Sequence, residues 1–372
     1  MTSPAPIALF EPVTVGSLTL RNRLMRSATA ERLADPATGA PRPELGALYE
    51  ALARGGVGLI VTGHAYVERA GRAHPEMASI ADDAVIPAWR EVVAPAQALG
   101  ARVILQMNHS GASCDPAVTP DPLSPSGVAT NDRARPRAMT PDEVERVVRA
   151  YGQAARRARE AGLDGVQIHG AHGYLISQFL TPATNARSDA WGPGGPDGRL
   201  AFLRAVAAEV RRQVGAEYPV WIKLGVAGAA RHGLDAALGA QAAAACRACG
   251  IDCVEVSHAL GQPETLGPGE TPYLPLAVAA REAVGSDYPL ALVNGLRSRR
   301  AMERVLASGV VQIVSLCRPL IAERDLPARL AAETSRRAAC VSCGKCWPER
   351  PGEGIGCHND KVRQKVMGRA VE

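Results

Sequence analysis

The stretch that decides the fold is Thr140-Pro-Asp-Glu-Val-Glu-Arg-Val-Val-Arg-Ala-Tyr-Gly-Gln-Ala-Ala-Arg-Arg-Ala-Arg-Glu-Ala-Gly-Leu-Asp-Gly-Val-Gln-Ile-His169. Its first four residues form a capping box, in which Thr140 and Glu143 satisfy each other's free backbone N–H groups, with proline at the first helical position. Val144, Val147, Val148, Tyr151 and Ala155 then recur at three- to four-residue spacing and make one apolar helix face. Gly162 stands where a helix ends in a left-handed residue, and the run Val166–His169 follows at once. The same phrase of helix, glycine and strand returns at Ala248-Cys-Gly250 before Val254–Ser257, and at Ala307-Ser-Gly309 before Val311–Leu316.

Working outward, eight short apolar runs carry the strand signal: Leu24–Ser27, Gly58–Thr62, Arg102–Gln106, Gly165–His169, Pro219–Leu224, Asp252–Ser257, Pro289–Val293 and Val311–Leu316. They are continuous rather than alternating, as strands of a parallel sheet covered on both faces are. The intervals between them are long enough for crossover helices. Eight strand–helix units predict a (β/α)8 TIM barrel. The rival, a doubly wound open sheet, expects a glycine-rich phosphate turn after an early strand, and no G-x-G-x-x-G follows a strand here. The expected layout is a barrel over residues 1–327 and a cysteine-containing tail over 328–372. Residues 107–139, a polar, proline-rich stretch between the third and fourth strands, do not fit the repeat, and a loop this long in a compact domain is expected to be functional.

Composition narrows the class. The 372 residues carry 42 Lys+Arg and 37 Asp+Glu, a net charge of +5, with 47% hydrophobic and 21% charged residues. That excludes wholesale disorder and a nucleic-acid-binding polycation. No apolar run approaches the ~18 residues of a membrane span. The first ten residues lack the basic and apolar regions of a secretory signal, so the expectation is a cytoplasmic protein acting on a small molecule, with neither nucleic acid nor membrane as partner and a homo-oligomer left open.

In a TIM barrel the chemistry lies where strands end. The strand ends here read Ser27-Ala28-Thr29, Thr62-Gly63, Gln106-Met-Asn-His109, His169-Gly-Ala-His172-Gly-Tyr174, Lys223, Asn294-Gly295 and Cys317-Arg318-Pro319. His169, His172 and Tyr174 are the strongest signal. Two imidazoles can hold an oxygen with N–H donors, and a tyrosine with an ordinary pKa near 10 can donate a proton. Two other readings stay open: a metal site, which needs a further ligand, or two buried structural histidines. Lys223 lies within the apolar strand Val220-Trp-Ile-Lys-Leu224 and needs an anionic partner, for which a flavin ring edge is one candidate. Arg318 with Gly295 occupies the position of the common barrel phosphate site.

These residues resemble the old yellow enzyme family of FMN-dependent NADH:flavin oxidoreductases and ene-reductases, and in particular the barrel part of 2,4-dienoyl-CoA reductase. The resemblance covers residues ~8–327 and rests on Leu9-Phe-Glu-Pro12, Leu20-Arg-Asn-Arg23, Gln106-x-x-His109-x-Gly111, Asp164-Gly-Val-Gln-Ile-His-Gly-Ala-His-Gly-Tyr174, Gln178-Phe-Leu, Asn185-x-Arg187-x-Asp189 and Cys317-Arg-Pro-Leu320. It implies FMN across the barrel mouth, NAD(P)H as co-substrate, and hydride delivery to an activated C=C bond of an enone, enal or similar compound. It implies His169 and His172 as substrate holders and Tyr174 as proton donor. It implies Ser27, Ala28, Thr29, Gly63, Gln106, His169, Lys223, Gly295 and Arg318 as FMN contacts. The alternative on the same flavin is a dehydrogenase or demethylase that passes electrons to an external carrier; a flavin- or metal-dependent binding protein is the non-enzymatic reading. Ala112, Trp191, Asn294 and Ala30 depart from the family's usual residues, and the small Ala30 implies an altered pocket.

Cys340-x2-Cys343-x2-Cys346 with Cys357 supplies four thiols at a spacing that suits a [4Fe–4S] cluster, a tetrahedral zinc, or neither. The five other cysteines are scattered, and packed small residues are the reading for them.

Overall fold

The structure, a computed structural model, describes residues 8–264, 269–332 and 337–368. The eight expected runs all form strands: β1 (Leu24–Arg26), β2 (Leu59–Val61), β3 (Arg102–Asn108), β4 (Gly165–Gly170), β5 (Val220–Ala227), β6 (Cys253–His258), β7 (Leu290–Leu292) and β8 (Ile313–Leu316). Each pairs in parallel with the next, and β8 pairs with β1 through Val314 and Leu24, so the sheet closes. This is the (β/α)8 barrel. Its outer ring is α1 (Pro43–Arg54), α2 (Ile86–Ala98), α3 (Pro141–Glu160), α4 (Ala201–Val214), α5 (Ala236–Ala248), α6 (Leu274–Val284), α7 (Arg299–Ala307) and α8 (Leu326–Ala332).

Helix α3 forms for the reasons its sequence announces. The Thr140 side chain accepts from the Glu143 N–H, Glu143 accepts from the Thr140 N–H at 2.9 Å, and Gly162 closes the helix at φ +82°. Val144, Val147, Tyr151 and Ala155 are fully buried. Val148 only leans on the core from its edge.

The barrel interior is divided by height. Met25, Leu59, Val61, Ile104, Trp221, Cys253, Ala291 and Ile313 pack together at the strand starts, and Val15, Leu18 and Leu20 of an antiparallel hairpin (Val13–Val15 with Leu18–Leu20) close that end. Two residues further along five strands, on the same inward face, stand Ser27, Gln106, Lys223, Glu255 and Ser315, all buried. The apolar floor therefore gives way to a polar layer before the mouth is reached.

The 107–139 stretch is not a bare loop. It contains a turn at Gly111–Ser113 and a short parallel pairing of Leu123–Ser124 with Arg137–Ala138. The loop after β6 has four residues, 265–268, outside the described residues. The segment after α8 returns across the strand-end face: the Ala338 N–H donates to the Arg297 carbonyl (2.8 Å), the Ile355 N–H to the Glu31 carbonyl (3.0 Å), and Arg42 to the Gly352 carbonyl (2.6 Å). Among the described residues no helix is long and apolar enough to cross a membrane.

Candidate active site

Three side chains meet at the end of β4. His169 is its penultimate residue. His172 sits in the turn that follows, at φ +59°, and Tyr174 caps the helix Leu175–Leu180. The His169 ring lies 4.9 Å from Tyr174 and 5.2 Å from His172, near-perpendicular to both. His169 Nδ1 accepts the Ala171 N–H, which leaves its proton on Nε2. His172 Nε2 lies 2.8 Å from Ser257 Oγ; with that hydroxyl donating, the His172 proton sits on Nδ1. Burial holds both imidazoles well below the usual histidine range, and His172 and His258 respectively add to it, so each ring is neutral and keeps one N–H donor. Burial also pushes Tyr174 up to about 12, so the phenol stays protonated. The set can hold an electron-rich oxygen with two donors and offer a proton beside it.

The turn carrying Tyr174 is braced from below. Gln178 donates to the Gly173 carbonyl (2.7 Å) and accepts the Ala112 N–H (3.2 Å). Gly111, at φ +58°, lies so close that a Cβ there would come 2.4 Å from Gln178 Oε1. Asn185, Arg187 and Asp189 are likewise structural. Arg187 clasps Asp189 and donates to the Pro125 and Met139 carbonyls at 2.6 Å, tying the loop after β4 to the 107–139 segment.

Beside these groups lies a cavity of about 280 Å³ whose lining includes Ser27, Ala28, His172, Lys223, Gly295 and Arg318, six of the expected residues. Arg297 lines it too, and its buried Nε has no partner among the described residues. Lys223, Arg297 and Arg318 together line it as a donor set that fits a phosphorylated cofactor with an electron-rich ring edge. The other expected contacts lie outside the lining. Thr29 donates to the Ser27 carbonyl (3.0 Å) and its Oγ1 lies 3.3 Å from Cys317 Sγ. Gly63 backs onto the loop after β1, where a Cβ would come 1.9 Å from Glu31 Oε2. Gln106 donates to Gln167 (2.7 Å) in the polar layer below.

The expected anionic partner of Lys223 is in the protein itself. Lys223 Nζ lies 3.4 Å from Glu255 Oε1 and donates to Ser27 Oγ at 2.6 Å. Glu255 escaped the sequence reading although it carries the same signal as Lys223, a charge inside the apolar strand Cys253-Val-Glu-Val-Ser257. His64 and His258 were also missed. His64 follows β2 and His258 is the last residue of β6; they stand 5.4 Å from Tyr174 and 4.5 Å from His172, ring to ring.

The metal expectation for Cys340, Cys343, Cys346 and Cys357 is not supported. Cys340 is buried, Cys343 exposed, and Cys346 and Cys357 lie between. The Cys343 sulfur accepts from Asn359 and the Cys340 sulfur from the Ser342 N–H. Among the described residues no three His, Cys, Asp or Glu side chains are placed to hold a metal ion, at the tail or at the histidine pair. Burial raises the Cys340 thiol and pushes Cys346 up to about 11, while hydrogen bonds from the Lys345 N–H and Asn359 lower the exposed Cys343 thiol.

The sequence pattern described as the NADH:flavin oxidoreductase / NADH oxidase family matches residues 8–336. The chain belongs to this family. A metal reductase of Desulforamulus reducens is 32% identical over 98% of this chain and 53% of its own length. An NADPH dehydrogenase of Geobacillus thermodenitrificans is 31% identical over 87% of this chain and 94% of its own. Among solved structures, a 2-naphthoyl-CoA reductase complex superposes with a TM-score of 0.82 at 25% identity, over 89% of this chain and 53% of that one. An old yellow enzyme homologue from Zymomonas mobilis superposes at 0.76 with 27% identity, over 90% and 95%. The chain spans about half the length of the first curated relatives it matches. In this old yellow enzyme barrel, the histidine pair and tyrosine occupy the strand-end face together with the cation-lined cavity.

Proposed function

We propose that the protein is an FMN-dependent NAD(P)H oxidoreductase that reduces an activated C=C bond, with FMN seated in the cavity between Lys223 and Arg318. The convergence of His169, His172 and Tyr174 within about 5 Å supports this reading. When bound, FMN supplies the hydride chemistry, taken from NAD(P)H and given to the alkene. His169 Nε2–H and His172 Nδ1–H hold the carbonyl oxygen of the substrate, which draws electrons from the double bond and orients it. Tyr174 gives its proton to the carbon beside that carbonyl. The polar layer of Ser27, Lys223 and Gln106 positions the ring edge of the cofactor, and Arg297 and Arg318 hold its phosphate.

The test separates the two halves of the cycle. Tyr174→Phe removes a general acid, a loss of about 10²–10⁴ in rate. The alkene-dependent half should slow by that factor while flavin reduction by NAD(P)H is unchanged. Equal effects on both halves refute the assignment, and oxidation of an amine by the wild-type enzyme with no alkene reduction replaces it with the dehydrogenase reading.

A further inference from the structure

The polar layer beneath the proposed flavin site contains a carboxylate that nothing in the mechanism above uses. Glu255 is fully buried and does not line the cavity. Strand register places it directly beside Lys223, on neighbouring strands β6 and β5. Its Oε1 accepts from Ser27 Oγ (2.7 Å) and Ser315 Oγ (2.6 Å), and its Oε2 from Gln167 Nε2 (2.9 Å). Gln167 in turn accepts from Gln106. The network thus joins residues of β3, β4, β5, β6 and the ends of β1 and β8 around one negative charge. The cation facing that charge is Lys223, 3.4 Å away.

A buried carboxylate in contact with a buried ammonium cancels much of its field, and in a poorly solvated interior that field reaches several ångströms. Lys223 lines the cavity and Glu255 stands behind it, so any group in the cavity experiences the cation through its counter-charge. Reduction adds negative charge to a flavin, and a neighbouring cation favours the reduced form. We propose that Glu255 is a positioning residue that holds Lys223 in place and offsets its charge, and so keeps the flavin's reduction potential lower than Lys223 alone would set it. This rests on the reading that FMN occupies the cavity. All three partners reach Glu255 as donors, which suits an acceptor-only carboxylate; a glutamine there would turn an N–H of its own toward one of them.

The experiment uses the full chain loaded with FMN. Bound flavin, the Kd of oxidised FMN, the two-electron midpoint potential and the thermal midpoint are measured for wild type, Glu255→Gln, Lys223→Met and the double variant. Glu255→Gln should raise the potential, corresponding to an order of tenfold stronger preference for reduced over oxidised FMN, about 30 mV. Lys223→Met should lower it. The double variant, which removes opposite charges together, should return close to wild type and be more stable than either single variant. Should Glu255→Gln fail to accumulate, the double variant compared with Lys223→Met isolates the same charge, and its potential must be the higher of the two. A potential unchanged or lowered on removal of Glu255, in protein that still binds FMN, overturns the inference. Wild-type protein that binds no FMN overturns the flavin reading instead.

Discussion

If neutral imidazoles and a protonated phenol do the work, the alkene half of the cycle has an unusually flat pH profile. An ordinary tyrosine, with a pKa near 10, is half ionised at pH 10. Tyr174, pushed up to about 12 by burial, is ionised to only about 1% there. The acid is present below its pKa and lost as pH rises through it, so burial moves the alkaline limb up by two units. On the acid side an ordinary histidine is about ten-to-one protonated at pH 5.5. His169 and His172 are held well below that range, so they remain single N–H donors rather than cations there. Other titratable groups around the pair leave this picture intact: burial also lowers His258 and takes His64 to about 4. The assay reduces the enzyme anaerobically with NAD(P)H at pH 7, then mixes it with excess enone while jumping the pH, and follows flavin reoxidation in a single turnover. The rate should stay constant from pH 6 to pH 10. A half-loss near pH 10 would mean a solvated tyrosine, and an acid limb near 6.5 would mean solvated histidines; either refutes the desolvated-site argument.

Two further outcomes test the scaffold around the site. Gly111→Ala places a Cβ 2.4 Å from Gln178 Oε1 at a left-handed φ, so it should cost about 1–3 kcal/mol in chemical unfolding and slow alkene reduction while FMN content holds. Burial of Glu31 outweighs its attraction to Arg26 and raises its carboxyl from 4.5 to about 7. The folded state therefore binds that proton more tightly; the resulting stability is fully present below pH 4.5 and lost as pH rises through 7, on the order of 3 kcal/mol. Wild type minus Glu31→Gln, measured by urea unfolding across that window, should show this slope, and a flat difference refutes it.

The barrel was legible because each of its strands is a short, buried and mainly apolar run, followed or preceded by its own helix signal. Val144, Val147 and Tyr151 mark α3 without any knowledge of what they touch. The site was legible where its members are neighbours in sequence, as His169, His172 and Tyr174 are. It was not legible where closure of the barrel makes the contact. Lys223 and Glu255 are 32 residues apart, and only the register of β5 on β6 puts them side by side. His64 and His258 belong to separate strand–helix units and reach the histidine pair through the circular order of strands. For Cys340, Cys343, Cys346 and Cys357, local spacing leaves a cluster, a zinc or neither open, and it carries no information on their burial: Cys340 is buried while Cys343 faces solvent.

The change from Met25 to Ser27, Ile104 to Gln106, Trp221 to Lys223, Cys253 to Glu255 and Ile313 to Ser315 occurs over a single two-residue step on five strands. Below the step, side chains fill the barrel and close it with the hairpin. Above it, burial would be costly for every group left unpaired. The cost is offset by linking the groups to one another around Glu255, yet such a buried ionic network adds little net stability compared with apolar packing of the same volume. A barrel selected for stability alone would have continued its apolar floor upward. That the polar layer appears at one height, directly under the cavity and the histidine pair, argues that its purpose is to present fixed charges and donors to whatever the cavity holds. Substitutions one layer down should then register in unfolding, and substitutions at the step should register in the chemistry.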